Sequence, residues 1–179
     1  MKKLYEFASG KAGKLALVIS GAVTAVICVV MNFVLIPQIE ASTGGIRCFD
    51  MNFAYSYETA VKFLSLIGDD ARRVYLTQQL PLDFVYPLAY LIFFSLLIIR
   101  LGKRVSPFCA LPVMLCASDY CENILTVIIL KSGEPSRALI QCASIVTSVK
   151  TVLMYTVFLV VIVLIIRYFL AKKRVVNGQ

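Results

Sequence analysis

The chain has 179 residues, of which 60% are hydrophobic, with a net charge of +8 and a mean hydropathy of +0.85. Soluble domains are usually about 45–50% apolar, so this composition excludes an ordinary soluble domain. The sequence contains no histidine, which removes histidine-based zinc sites and Ser-His or Cys-His catalysis. None of the six cysteines forms a CxxC motif, so a thiol-redox enzyme lacks its main signature.

Four apolar stretches follow one another along the chain. They cover about residues 15–37, 82–99, 108–130 and 138–166, and each is close to or above the roughly 20 residues that a helix needs to cross a bilayer. The first is longer than the core of a secretory signal, which has about 7–15 residues, so we expect it to remain as a helix. The sequence therefore predicts one all-α domain over residues 1–179, a four-helix transmembrane bundle.

The segment between the first two stretches, about residues 38–81, is too long for a structureless connection, so we expect structure within it. Ser56 is expected to cap one helix over residues 57–67, and the Asp69-Asp70 pair a second over residues 71–80. Apolar residues at helical spacing on the first of these helices predict a short helical cap over the ends of the spans.

Basic residues cluster in alternate connections, which meet at one end of an antiparallel bundle. One group lies before the first stretch, a second lies between the second and third stretches, and a third follows the fourth. In that order, the groups are Lys2, Lys3, Lys11 and Lys14; Arg100, Lys103 and Arg104; Arg167, Lys172, Lys173 and Arg174. The positive-inside rule then predicts a protein of the cytoplasmic (plasma) membrane, with both termini cytoplasmic and the cap extracytoplasmic. The basic excess also favours contact with membrane lipids, whereas nothing in the sequence indicates a nucleic-acid partner.

Ionisable side chains interrupt the third and fourth stretches. The loop between these stretches, residues 131–135, is short, so they must be antiparallel neighbours. At a rise of about 1.5 Å per residue, Asp119 and Lys150 lie roughly 16 Å and roughly 18 Å from that loop, and Glu122 lies closer to it. Because charges inside a bilayer usually face a partner or a hydrated cavity, we expect Asp119, Glu122 and Lys150 to converge as candidate catalytic residues.

Other polar side chains are expected to face the same zone as candidate ligand-binding residues: Asp83, Asn123, Asn32, Gln141, Tyr86 and Tyr120. Three carboxylates against one lysine give the pocket a formal charge of −2, which is costly in a low dielectric. A protonated carboxyl, a bound cation or hydration would relieve it. A metal site on Asp83, Asp119 and Glu122 would suit a divalent cation with oxygen ligands; otherwise no cofactor is expected.

Two segments, Leu82–Pro87 and Ser118–Asn123, resemble segments of small four-span prokaryotic membrane proteins of unassigned function. The resemblance covers the second and third stretches. It implies a four-span fold and carries no activity, substrate or cofactor to this chain.

The leading functional hypothesis is an outward-facing polar pocket that binds, or also modifies, a small amphiphilic or lipid-like ligand. Whether the chain is an enzyme stays open. A small transporter or proton-coupled carrier is the alternative, as a homo-oligomer, because four spans are few for alternating access. In a third reading, the Asp119–Lys150 pair only fixes the packing of a structural or assembly protein. A disulfide between Cys48 and Cys142 is also left open.

Overall fold

The computed structural model describes residues 2–177, with side chains described through residue 173, and this part of the chain is helical without any β-strand. The helices are α1 (Lys2–Ser9), α2 (Lys11–Ser42), α3 (Tyr57–Leu66), α4 (Asp69–Gly102), α5 (Ala110–Lys131) and α6 (Arg137–Asn177). Four of them, α2, α4, α5 with its preceding 3₁₀ turn, and α6, are long and apolar enough to cross a membrane. The predicted all-α bundle with four such helices is confirmed.

Helix α4 lies at the centre of the bundle and packs against α2, α5 and α6, while α5 packs against α6. Gly21 of α2 allows a close approach to α4, because a Cβ atom at this position would lie 2.9 Å from the ring of Phe93. Short connections make α5 antiparallel to both α4 and α6. We call the end that carries residues 43–68 and the α5–α6 loop the cap end, and the opposite end the terminal end.

Two helices run through prolines, one at Pro37, where the sequence predicts an end, and one at Pro81, where it allows either a helix start or a kink. A π-helical turn, Met31–Leu35, precedes Pro37 in α2, and a second, Tyr75–Gln79, precedes Pro81 in α4. Proline lacks an N–H and its ring clashes with the carbonyl four residues earlier; the wider turn relieves both problems, so the helix continues. The predicted second cap helix is therefore the first part of α4, which begins at Asp69.

The ends of two other helices also differ from the apolar pattern. Helix α6 continues past residue 166 to Asn177, since lysine and arginine are good helix formers and extend the helix beyond its apolar part. Helix α1 folds back on the start of α2, where a Cβ at Gly13 would lie 2.3 Å from the carbonyl oxygen of Phe7. The guanidinium of Arg100 donates to the carbonyl of Ala8 at 2.5 Å, which anchors α1 to the end of α4.

The cap is a small packed unit. As predicted, Ser56 caps α3, since its hydroxyl accepts the backbone N–H of Thr59 at 3.1 Å. Gly68 rather than Asp69 or Asp70 occupies the N-cap of α4; the two aspartates lie in the first turn, where negative charge favours the helix dipole.

Aromatic rings fill the cap, and an arginine ties it to the bundle. Phe63 is fully buried, with its ring centroid 4.9 Å from that of Phe49 and 6.4 Å from that of Tyr75. Arg72 donates to the carbonyls of Leu64 and Leu130 at 3.2 and 3.0 Å. Because Leu130 lies in the last turn of α5, this contact also satisfies a carbonyl that the helix leaves without a donor. The cap is therefore joined to the helix that carries Asp119 and Glu122.

Candidate functional site

Two carboxylates and one ammonium group meet between α5 and α6, and we call them the acid–lysine triad. The Nζ atom of Lys150 lies 3.5 Å from Oδ1 of Asp119 and also contacts Oε2 of Glu122. Asp119 and Glu122 are only 2% and 1% exposed, whereas the Lys150 side chain is 14% exposed. The prediction that the two helices bring these three residues together is confirmed.

Two hydroxyl groups complete the hydrogen bonding of the triad. Tyr90 donates to Oδ2 of Asp119 at 2.9 Å, and Thr147 donates to Oε1 of Glu122 at 2.5 Å. Each of the four carboxylate oxygens therefore contacts either a hydroxyl group or the ammonium group of Lys150, and buried charges need such partners. Thr147 was not predicted as a site residue, although it precedes Lys150 by three residues and so lies near it on α6.

Asp83 lies next to the triad but is not paired with it. Its side chain is buried on α4, and the charges of Asp119, Lys150 and Glu122 influence it. Within residues 2–173, the Asp83 carboxylate makes no hydrogen bond or ion pair. A largely buried carboxylate without a partner costs free energy, so the bonding of Asp83, which is 5% exposed, is incomplete among the described side chains.

Pro87 explains the contacts of two predicted site residues. Without an N–H, Pro87 cannot donate to the Asp83 carbonyl one turn earlier in α4. Asn123 supplies that donor, with its Nδ2 atom 2.7 Å from the Asp83 carbonyl oxygen. Tyr120 donates to the adjacent carbonyl, that of Phe84, at 2.8 Å. Both side chains therefore join α5 to α4 at the proline.

The cap lies directly over the triad. The backbone N–H of Tyr55 donates to the hydroxyl of Ser144 at 2.9 Å, and Ser148 donates to the carbonyl of Phe53 at 2.8 Å. The buried hydroxyl of Tyr55 lies near Thr147 and Glu122. Burial raises the pKa of Tyr55, and the charge of Glu122 acts in the same direction, so the hydroxyl group that Tyr55 places above the site is neutral.

Asp50, in the 3₁₀ turn of the cap, brings a fourth acid close to the site. Its Oδ1 atom accepts a hydrogen bond from the Tyr75 hydroxyl at 3.1 Å. The Asp50 carboxylate is also close enough to Asp83 and Glu122 for their charges to interact. The cap therefore adds negative charge to a region that already has more carboxylates than ammonium groups.

The two π-helical turns contact each other beside this region. In the second turn, Gln79 is fully buried and neither atom of its amide has a hydrogen-bond partner among the described residues. Gln79 lies four residues before Asp83, on the same face of α4. Buried amides are normally paired, so the unpaired amide of Gln79 and the carboxylate of Asp83 form a polar strip with incomplete hydrogen bonding. The strip begins in a π-turn, and π-turns are frequent at functional sites.

Two of the predicted ligand-binding residues do not join the cluster. Asn32 and Gln141 are exposed on the outside of the bundle, and Asn32 donates to the carbonyl of Cys28 in its own helix at 2.9 Å. Tyr86 lies closer, with its ring centroid 5.1 Å from that of Tyr90 in an edge-on contact.

Neither a metal centre nor a disulfide is built into the described residues. This part of the chain has no group of three or more His, Cys, Asp or Glu residues arranged to hold a metal ion, so the proposed divalent site has no support in the geometry. All six cysteines are free thiols; Cys48 is buried and Cys142 is exposed, and the disulfide considered between them is not formed.

The fold and the site define an all-helical bundle of four membrane-length helices with a capped, buried acid–lysine cluster. The chain matches no family model, no curated protein and no solved structure.

Proposed function

We propose that this chain is an integral membrane protein whose capped cluster binds the head group of a small amphiphilic or lipid-like ligand. The observation that carries the proposal is Asp83, a largely buried carboxylate that no described side chain pairs, beside the paired acids of the triad. Intramembrane ionisable residues are functional candidates by default. The neighbouring amide of Gln79, also without a partner, is a second group that a head group could satisfy.

The charge of the cluster favours a cationic, amine-bearing head group. The triad carries a formal charge of −1, and Asp83 brings the total to −2. An ammonium group placed at Asp83 would pair the carboxylate that Lys150 does not reach, and would offset the cost of its burial. The apolar surfaces of the four long helices would keep the ligand's tail in the same hydrocarbon phase.

The proposal includes an orientation. The basic residues of the α4–α5 connection and of the start of α2 lie at the terminal end of the bundle, which the positive-inside rule assigns to the cytoplasm. The cap end and its cluster would then face the outside. Amphiphiles would reach the cluster from the outer leaflet.

The test compares a long-chain alkylamine with the alcohol of equal chain length, added to the purified protein in neutral detergent. A ligand at about ten times its Kd stabilises the folded state by about 1.4 kcal/mol. We expect the amine to raise the free energy of unfolding and the alcohol to have little effect. The Asp83→Asn variant should lose this stabilisation. Glu58→Gln, which removes an exposed acid of the cap, is the matched control and should keep it.

Equal stabilisation by amine and alcohol, or an unchanged response of Asp83→Asn, would exclude a head-group site at Asp83. Native mass spectrometry of the protein purified from its membrane would identify the natural ligand as a bound mass that Asp83→Asn loses. One observation favours a second function: the complete pairing of the triad suits an ion pair that only specifies helix packing. That function predicts no ligand response in any variant.

A further inference from the structure

A second polar feature lies at the terminal end of the bundle, at the opposite end from the cap. A cleft of about 900 Å³ opens between the α4–α5 connection and the last turns of α6. Four cationic side chains line it, Lys103, Arg104, Arg167 and Lys172. No acidic residue lines the cleft within the described part of the chain. This concentration of one charge around a cavity distinguishes the cleft from the mixed surface of the cap.

Among the residues with described side chains, the four cations have no counter-charge. None of them forms an ion pair with any residue whose side chain is described. Like charges that share one cleft repel each other, and an anion bound between them would remove that repulsion. Ser106 and Tyr168 also line the cleft, and their hydroxyl groups can donate hydrogen bonds to an anion.

The backbone at Lys103 departs from the usual pattern. This residue ends α4 in the left-handed conformation, with φ of 54°, a position at which helices usually place glycine or asparagine. A lysine side chain pays a steric cost in this conformation. Here that conformation places a cation at the wall of the cleft, next to Arg104.

Apolar side chains form the remaining walls. Leu101, Phe108 and Leu164 line the cleft beside the cations. On α6 the neighbouring residues Val163 and Ile166 are 45% and 52% exposed, so the cleft borders the apolar surface of a helix long enough to cross a membrane. A cationic recess next to such a surface matches an anionic lipid, whose charged head and acyl chains lie side by side at a membrane boundary.

We propose that this cleft is a binding site for the phosphate-bearing head group of an anionic membrane lipid. The four cations would surround the phosphate, and the acyl chains would extend along the exposed face of α6. The site is separate from the capped cluster, and it does not depend on the function proposed there. It selects its ligand by negative charge, whereas the cluster has a surplus of acids.

Native mass spectrometry of the purified protein, titrated with phosphatidylglycerol or phosphatidylcholine, tests this site. The cleft variant carries Lys103→Gln, Arg104→Gln and Arg167→Gln. The control variant removes the same charge from the start of the chain, through Lys2→Gln, Lys11→Gln and Lys14→Gln. We expect the cleft variant to bind phosphatidylglycerol at least about tenfold more weakly. The control variant should bind it as the unmodified protein does.

Equal losses in the two variants would overturn the proposal, because they would reveal a dependence on net charge alone. Equal affinity for the two lipids would also overturn it. In a third arm, inorganic phosphate competes with the lipid; displacement at equal molar concentration would make the site one for free anions rather than for lipid. If the triple variant does not fold, as judged by circular dichroism, Arg104→Gln alone should still weaken phosphatidylglycerol binding, and unchanged binding would refute the site.

Discussion

Lys150 holds two acids together in the middle of the bundle, and its loss would leave both without a counter-charge. Asp119 and Glu122 are nearly inaccessible to solvent, and Lys150 is the cation that contacts both. Removal of one partner from a buried ion pair typically costs about 3–5 kcal/mol, because the remaining charge stays buried. The triad is therefore expected to respond far more strongly to single substitutions than to a combined one.

We predict that Lys150→Met lowers the free energy of unfolding by about 3–5 kcal/mol. The triple variant Lys150→Met, Asp119→Asn, Glu122→Gln should recover more than half of that loss, because no charge of the triad is left unpaired. Unfolding in detergent followed by circular dichroism measures both values. Lys131→Met, which removes an exposed lysine at the end of α5, serves as the control. If the triple variant loses as much free energy of unfolding as Lys150→Met, these side chains stabilise the fold through packing rather than through charge balance.

Asn123 has a backbone role that the sequence alone did not reveal. It donates to the Asp83 carbonyl, which Pro87 leaves without its helical donor. Asn123→Ala should therefore cost about 1–3 kcal/mol, the penalty of a buried acceptor without a partner. In a Pro87→Ala background the restored N–H can bond to that carbonyl, so the same substitution should cost much less. A double-mutant cycle of these two substitutions measures the coupling. If their effects on the free energy of unfolding are additive, Asn123 does not act through the carbonyl that Pro87 leaves without a donor.

The pairing of Asp119 with Lys150 could be predicted because the short α5–α6 loop and the constant helical rise fix the depth of each residue. Depth alone does not fix the face of the helix. Gln141 lies nine residues before Lys150, which is about half a turn away around the axis at roughly 100° per residue, and it is exposed. Asn32 was likewise placed by depth and faces outward.

The bounds of two helices differ from the prediction at prolines. The first span was expected to end at Pro37, whereas Pro81 was expected either to begin the second span or to kink a helix that runs through it. In the structure, each follows a π-helical turn and lies inside a longer helix. Apolar periodicity does not encode the extra residue of such a turn. The position of Gln79 in the polar strip with Asp83 depends on the second π-turn, so the strip could not be predicted from the sequence.

The cap gives a prediction about reactivity. Burial raises the pKa of the Cys48 thiol, and the charges of Asp50 and Glu40 raise it further. An ordinary thiol, with a pKa of about 8.5, becomes mostly thiolate between about pH 7 and pH 10. Because the raised pKa keeps Cys48 protonated, its alkylation by a water-soluble maleimide should stay slow across this range.

Mass spectrometry of digested protein would measure the alkylation of Cys48 before and after unfolding. In the folded protein the modified fraction should remain low as the pH rises, whereas unfolding should make Cys48 react like an ordinary thiol. Ser42→Cys, which adds a thiol at the exposed end of α2, provides the positive control. Rapid alkylation of Cys48 in the folded state would mean that the cap opens.

The bundle buries several charged groups between its long helices, while those helices expose many apolar side chains. In the most apolar 18-residue stretch of α6, only 11% of the residues are buried. Ile145, Leu159 and Ile162 of this helix are each more than half exposed. Exposed apolar surface of this extent marks contact with a membrane or with other proteins. The length and hydropathy of the four stretches made this architecture predictable, because neither quantity depends on side-chain detail.

The proposed ligand site and the proposed lipid cleft must face opposite sides of the membrane, so the orientation of the chain tests both. Single cysteines introduced as Glu58→Cys in the cap and Lys103→Cys in the α4–α5 connection mark the two ends. In intact cells, an impermeant maleimide should modify Glu58→Cys and leave Lys103→Cys unmodified until the membrane is permeabilised. The unmodified chain, treated in the same way, gives the background from its six native thiols. The reverse pattern would place the terminal end outside, against the positive-inside rule, and would remove the outer leaflet as the route of the proposed ligand.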